Sequence, residues 1–528
     1  MKKITTKSLL LGLLSGAFAL SADAQSPKIV VGIMVDQLRT DYLEQLRPYF
    51  SDKGFNRLIK EGVYIPNVDF KNTVSDAPSG AAVIYTGAWP SVNGVPSAQV
   101  LDPVNKRYVA TLSSDRSKAR SEYSPGNLRL STLADELYIY NGNLSKIYSL
   151  AGDPQVAVIT AGHAANSAVY LDEFMGKWVS PAYYGTLVPV VSNKNFTSPI
   201  SKRISSSLWR PLNDASAYSF GSKWRDGDFS YGFTGANSET YNRFKQSAPF
   251  NSEATDVAID LLKSIKTATS PAASGMLNIA YTLAPISFDY DDDNRPELVD
   301  SYVRLDSEIG RLLEAIDKDY GAENAVIFLS STGYAKEPAM PETDARIPTG
   351  DVTLRKAESL LNSYLSASYG NGDYVVNFQD GKLFLDAQAA DKKGIDIKKL
   401  RNETKNFLLK MGGVSEAFTI DEILSSNNRR IERMALGIDP KTSPDLLVFF
   451  TPGWTVTDDN AYPPVSSKVR LGSPSTPAII MAPGLEPETI TYPVDATALA
   501  PTIATEINIR APNGAGDKPL TLRHKNNK

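Results

Sequence analysis

The 528-residue sequence predicts an α/β fold. Its expected architecture is a mostly parallel central sheet flanked by helices, with a cap insertion and a small inserted α/β subdomain. Apolar, β-branched runs recur along the chain: KIVVGIMVD (28–36), VAVIT (156–160), MLNIAYT (276–282), AVIFLSS (325–331), DLLVFF (445–450) and PAIIMAPG (477–484). Their apolar character is continuous rather than alternating, as in strands covered on both faces. The intervals between them leave room for crossover helices.

One helix is plain. In PELVDSYVRLDSEIGRLLEAID (296–317), Pro296 and Glu297 suit a first turn. Leu298, Tyr302, Leu305, Ile309, Leu312 and Ile316 form an apolar stripe, while Asp300, Arg304 and Glu308 are spaced to pair on a solvated face. Two segments read as insertions. Residues 185–255 are rich in Ser, Asn, Tyr and Phe with little helical periodicity, and suit a cap over strand ends. Residues 355–435 hold a helix (355–368), a hairpin around Gln379-Asp380-Gly381, a second helix (395–411) and GGVSEAFTIDEIL, as expected of an inserted α/β subdomain.

The division that follows is 1–24 signal peptide, 25–184 first part of the core, 185–255 cap and 256–354 second part of the core. Residues 355–435 are the subdomain, 436–515 the last part of the core and 516–528 a flexible basic tail. The first segment has a charged start (Lys2, Lys3), a short apolar run (Leu9 to Leu20) and an Ala22-Asp23-Ala24 cleavage site. Cleavage is expected after Ala24, with export to the periplasm. No later run approaches the ~20 apolar residues of a membrane span. A net charge of −4 gives no basic footprint for nucleic acid. Cysteine is absent, so the core alone must stabilise the chain.

Ligand sites in open α/β sheets lie beyond the carboxyl ends of strands. Asp36 closes the first run. Asp289, Asp291, Asp292 and Asp293 follow MLNIAYT, and Ser330 to Gly333 follow AVIFL. After YIPNVDF comes NTVSDAPSGAAVIYTG (72–87), laid out as a strand, a tight turn and a helix start, with Ala77 where an attacking group would stand. Ser75 or Asp76 is placed to cap that helix. Ser79 as a nucleophile would need a base that the sequence does not supply. Asp36, Asp289 and Asp293 are candidate ligands of a hard cation, Mg²⁺ or Ca²⁺; the competing reading of the acidic run is a solvated helix start.

Taken in order, VVGIMVDQLRTDYL (30–43), IYTGAWPSVNGV (84–95), GKWVSPAYY (176–184), DSYVRLDSEIGRLLEAID (300–317), LGIDPKTSPDLLVFFTPGW (436–454) and GSPSTPAIIMAPGL (472–485) resemble the alkaline phosphatase superfamily. The resemblance is to its phosphodiesterase-like bacterial alkaline phosphatases with a threonine nucleophile. It implies two zinc ions held by three aspartates and three histidines, with a threonine attacking phosphorus between them. A divalent pair of this kind neutralises the phosphoryl group and clamps the leaving oxygen. Carried over residue by residue, Asp36 matches the first metal aspartate. The nucleophile falls on Ala77 and a phosphoryl-contacting asparagine on Ala98. The phosphoryl-contacting lysine and arginine fall near Gly162 and Ala164. The aspartate and histidine of one metal element fall on Asp289 and Asp293, the next aspartate–histidine pair on Thr332 and Gly333, and the last metal histidine on Ser475. The chain has two histidines, His163 and His524, so three histidine ligands cannot be assembled.

The expectation is therefore an exported, catalytically inactive relative that serves binding or scaffolding with a protein partner in the cell envelope. No resident cofactor is expected, a zinc pair least of all. The alternative is a diverged metal-dependent phosphoesterase using Asp36 and Asp289 with Mg²⁺ or Ca²⁺. A further expectation is that Tyr183, Tyr184, Tyr218, Tyr231 and Tyr241 of the cap segment offer aromatic anchors to a partner, against the alternative that they pack the cap onto the sheet.

Overall fold

A computed structural model describes residues 26–71, 75–102, 104–118, 121–214, 229–283, 295–335, 349–461, 464–469 and 472–525. The expected signal peptide, Asp289, Asp291 to Asp293 and Tyr218 lie outside them.

Ten strands form the central sheet. They are β1 (Ile29–Asp36), β2 (Val63–Asp69), β3 (Ile147–Ala151), β4 (Ser167–Asp172), β5 (Lys177–Val179), β6 (Gly275–Thr282), β7 (Ala325–Ser331), β8 (Thr476–Met481), β9 (Glu488–Thr489) and β10 (Val494–Asp495). Their spatial order is β9-β2-β8-β7-β1-β6-β3-β4-β5, with β10 also beside β2. β1 runs parallel to both neighbours, pairing Asp36 with Thr282 of β6 and Val35 with Ser331 of β7. Only β8 and the edge strand β5 run against their neighbours. Alternate residues of β1 serve opposite faces of the sheet. Val31, Ile33 and Val35 join one apolar core, which includes residues of helices α4 (Ala248–Ala268) and α5 (Arg295–Tyr320). Val30 and Met34 join the other, with α1 (Ala77–Thr86) and α3 (Pro154–Ala161). Both faces are thus covered, as continuous apolar runs require.

Two of the expected core strands are reassigned. VAVIT is α3, a helix buried from Gln155 to Ala161, and the neighbouring sheet strand is IYSLA, β3. Asp153 caps α3 by accepting from the backbone N–H of Gln155 (2.7 Å) and Val156 (3.1 Å), and Pro154 occupies its first turn. A helix buried all round has no polar face, so its apolar run imitates a strand. DLLVFF forms a strand, Leu446–Phe450, but pairs with Lys382–Leu385 and Val414–Thr419 in a separate four-stranded sheet. With a three-stranded sheet (Asp351–Thr353, Thr455–Asp458, Val465–Lys468) it builds a distinct unit around its own apolar cluster. The hairpin at Asp380-Gly381 is present, both residues having positive φ (49° and 69°).

The cap segment also differs from expectation. Helices cover Pro189–Thr197, Ile200–Ile204 and Ser238–Lys245, and its end enters α4. The Asp300 face of α5 is not solvated. Asp300 is fully buried and accepts from Trp209 Nε1 (2.7 Å), the Leu212 N–H (2.6 Å) and Arg304 (2.7 Å), so it pins the cap to α5. Tyr241 is buried, and Tyr231 packs on Trp209 and Phe229. Tyr184 donates to Gly162 O (2.6 Å), leaving Tyr183 as the half-exposed member of the described four. Most of these tyrosines therefore pack the cap.

Candidate active-site cleft

β1 ends in Asp36 and a bend at Gln37, whose φ is 63°. Beside it β7 ends at Ser331, and Thr332 follows. The Thr332 hydroxyl donates to Asp36 Oδ1 (2.9 Å) and accepts from the Gln37 N–H (3.0 Å), which locks the two strand ends together. A second donor to the Asp36 carboxylate is the Tyr334 hydroxyl. Burial nevertheless pushes the Asp36 pKa up to about 6, against the lowering effect of those hydroxyls.

The elbow folds as its layout predicts. Asp76 caps α1 in a capping box, accepting from Ser79 N (3.1 Å), while Ser79 Oγ donates back to Asp76 Oδ1 (2.8 Å). Ser79 is fully buried by this exchange, so the candidate nucleophile is a capping residue. The other Asp76 oxygen accepts from Ala98 N (2.6 Å), bringing position 98 to the elbow. Small residues let α1 approach closely: a Cβ on Gly80 would lie 1.8 Å from Thr332 O. Ala77, first residue of α1, faces the same cleft as Asp36 and Thr332.

That cleft has a volume of about 440 Å³. Gly152, Asp153, Pro154 and Gln155, at the start of α3, form another wall. Gly162 and Ala164, expected to stand in for the phosphoryl-contacting pair, are at the opposite end of α3. At 1.5 Å per residue, that end is about 12 Å away. This is a correction, and it follows from the reassignment of VAVIT: a strand would direct its carboxyl end to the cleft, whereas a helix here presents its amino end. Asp153 and Gln155 are thus cleft residues that the sequence reading missed. The signal was available in Asp-Pro, a cap followed by a first-turn proline. Among the described lining residues, Asp36, Asp153, Asp172 and Glu173 carry carboxyl groups, and Lys245 carries an ammonium bound to Glu173 at 2.9 Å. Burial raises the Asp153 pKa as well.

The remaining expected positions diverge. Gly333 follows Thr332 with φ 84°, and a Cβ there would meet the Phe70 ring at 2.4 Å. Ser475 is exposed, and its carbonyl accepts from Thr40 N (2.9 Å). His163 is held away from the cleft. Its Nδ1 lies 3.0 Å from Asp135 Oδ2 and its Nε2 3.0 Å from Leu128 O, so both nitrogens face acceptors. When protonated, the ring can donate from both sides. The hydrogen bond to Asp135 raises the His163 pKa. His524 lies in the C-terminal segment, 3.5 Å from Glu506.

A sheet of this order, with an elbow and a strand-end carboxylate opening on one cleft, is an α/β fold with its candidate site beyond the strand ends. The chain belongs to the type I phosphodiesterase / nucleotide pyrophosphatase family, whose model matches residues 30–476, and so to the alkaline phosphatase superfamily. Three relatives match nearly end to end. The calcium-transporting ATPase of Myroides odoratus is 24% identical, over 96% of each chain. The alkaline phosphatase PhoV of Synechococcus elongatus is 26% identical, over 94% of this chain and 92% of that one. The alkaline phosphatase PafA of Elizabethkingia meningoseptica is 24% identical, over 98% and 99%. The crystal structure of wild-type PafA has the same fold, with a TM-score of 0.80 at 21% identity over 94% of this chain and 98% of that one. No helix among the described residues is long and apolar enough to cross a membrane.

Proposed function

We propose that this chain is an exported member of the family that no longer hydrolyses phosphoesters and keeps its cleft and cap as a binding surface in the cell envelope. The observation that carries the reading is the closure at Gly333. Where the family resemblance calls for an imidazole, the backbone has a left-handed conformation and the Phe70 ring occupies the side-chain space. Ala77 offers no attacking oxygen. Asp36 receives two hydroxyl donors, and His163 uses both nitrogens elsewhere. This donor set does not fit a zinc pair. The charge of the cleft argues the same way, since four carboxyl groups against one paired ammonium repel a phosphate anion. Losses within a cooperating site are not additive, and one alone costs orders of magnitude.

The test is metal analysis of the purified protein with assays on phosphate mono- and diesters, with and without added Zn²⁺, Mg²⁺ or Ca²⁺. The expected result is no stoichiometric metal and no turnover above buffer. Stoichiometric metal together with turnover abolished by Asp36→Asn would overturn it.

A second reading is a metal-dependent phosphoesterase using Asp36 and Asp289, with Asp293, around Mg²⁺ or Ca²⁺. It is favoured by the open cleft at Asp36 and by relatives named as alkaline phosphatases. It requires activity that follows the added hard cation, so the same assay separates the two.

A further inference from the structure

A second cavity, of about 230 Å³, lies in the seam between the core and the inserted unit, on a different side of the elbow from the cleft. Pro96 and Val100 of the core and Phe384, Met434, Leu447 and Phe449 of the inserted unit give it apolar walls. Ion pairs stitch the seam around it: Lys106 with Asp386, Arg129 with Asp439 (2.7 Å) and Arg433 with Asp69 (3.3 Å).

Two hydroxyl-bearing residues, Ser75 and Tyr108, line this space. Ser75 Oγ and Tyr108 Oη are buried and have no hydrogen-bond partner among the described residues. Buried polar groups are nearly always partnered, and each exception calls for an explanation. The Tyr108 ring is set edge-on against Phe384 (6.2 Å, 85°), so its hydroxyl is fixed in the wall. Burial, then the fields of Asp380 and Asp458, push the phenol pKa up, so it stays a donor. The charged groups in the wall are already paired, Asp439 with Arg129 (2.7 Å) and Lys382 with Asp380 in the wall itself (3.6 Å). An ion entering here would lose its hydration and would have to compete for a counter-charge that already has a partner. An apolar cavity of about 150 Å³ holds a benzene molecule, so this one suits a somewhat larger body.

We propose that the seam cavity binds a small uncharged molecule with an apolar, ring-sized body and one carbonyl-type oxygen, which accepts from the Tyr108 and Ser75 hydroxyls. The site is separate from the cleft but adjoins it through the chain. Ser75 immediately precedes Asp76, the cap of α1, and lies two residues before Ala77. An occupant would therefore contact the residue that precedes the elbow's cap.

The test uses the purified protein and three probes of similar size: acetophenone, ethylbenzene and benzoate, each titrated by saturation-transfer NMR. Acetophenone should bind saturably. Ethylbenzene should bind about fivefold more weakly, the ratio that corresponds to a net hydrogen bond of about 1 kcal/mol. Benzoate should not bind. Tyr108→Phe should bring acetophenone to within twofold of ethylbenzene, and Ser75→Ala should weaken acetophenone alone. Both variants are checked for unchanged circular dichroism, and either one that folds decides the matter. Failure of both neutral probes to saturate, equal affinities in the wild type, benzoate binding as tight as acetophenone, or acetophenone affinity unaltered in the folded variants would each overturn the proposal. None of these outcomes depends on whether the cleft hydrolyses phosphoesters.

Discussion

Asp36 and Asp135 are the same residue in opposite settings. Burial acts on both to disfavour the charged form. At Asp36 only neutral donors answer it, the Thr332 and Tyr334 hydroxyls and the Gln37 side chain, and the pKa rises to about 6. At Asp135 the hydrogen bonds and charge of His163, with the Thr132 N–H, outweigh burial and hold the carboxyl below its usual range. The first carboxylate is left under-compensated at the mouth of a cleft. The second is fully compensated and closed off, receiving the backbone N–H groups of His163 (2.6 Å) and Ala164 (2.9 Å) besides the ring. The comparison teaches where imidazole has been spent in this chain. His163 fastens the end of α3 to α2 (Leu133–Tyr140) and does no work at the cleft.

The largest expected effect tests the closure beside Asp36. Gly333→Ala forces a side chain into a left-handed backbone, at about 1–2 kcal/mol, and into overlap with Phe70, at about 1–3 kcal/mol. Urea unfolding should report a loss of about 3 kcal/mol. Adding Phe70→Leu should return part of it, since neighbouring changes are coupled. A loss under about 1 kcal/mol would mean that the ring steps aside easily, and the enzymatic reading would gain. Next in size is Asp135→Ala. It strands the N–H donors of the α3–β4 turn in a buried place, and a loss of about 2–3 kcal/mol is expected. An unchanged denaturation midpoint would break the contrast with Asp36.

The His163–Asp135 pair also has a pH signature. His163 has a raised folded pKa, so its contribution is full below the ordinary histidine value near 6.5 and is lost as pH rises through the elevated value. Asp135 has a lowered one, so its contribution is present above the ordinary value near 3.8 and is lost as pH falls through the depressed value. Stability from the pair should therefore plateau between mildly acidic and neutral pH. The ring is partly exposed, so the alkaline loss should be about 1 kcal/mol or less. His163→Gln should flatten that limb in melting curves recorded from pH 5 to 9; an identical limb in the variant would remove the imidazolium from the account.

The contrast also explains what the sequence could disclose. β1, β6 and β7 were legible because strands covered on both faces are apolar without alternation, and Asp36 was legible because a lone carboxylate ends such a run. α3 imitates a strand because VAVIT, buried along its whole length, carries no 3.6-residue period; its cap, Asp153-Pro154, is the better signal. The phosphoryl contacts that the family resemblance implies at Gly162 and Ala164 fall at the end of this element away from the cleft. DLLVFF has the same composition as a core strand, and only its pairing partners reveal the second sheet. That an alanine heads the elbow helix, at Ala77, could be read directly. The Phe70 ring over Gly333 and the Tyr334 hydroxyl on Asp36 could not, because both are contacts between distant segments with no local pattern.

The smallest effect is the most pointed. Asp36 has a folded pKa raised to about 6 from the ordinary value of 3.8, so the folded protein favours the protonated form. Its contribution is intact below the ordinary value and is lost as pH climbs through about 6. Above that pH the charged carboxylate is a burden on folding. Asp36→Asn removes the charge and keeps the shape, and the Thr332 hydroxyl can keep its bond to the amide oxygen. The variant should therefore melt higher than wild type at pH 8, by an amount on the order of 1 kcal/mol after solvent screening, and the gap should narrow to about half by pH 5 and close only near the ordinary carboxyl value of 3.8. A cation held at Asp36 reverses the sign, because the carboxylate then gains its missing counter-charge and the variant melts lower wherever that cation is present. Melting curves of both proteins at pH 8, in chelator and in millimolar Mg²⁺, Ca²⁺ or Zn²⁺, separate the cases. A higher-melting variant in every buffer fits a carboxylate that no longer serves a metal, and a wild type stabilised selectively by one cation fits a working phosphoesterase site.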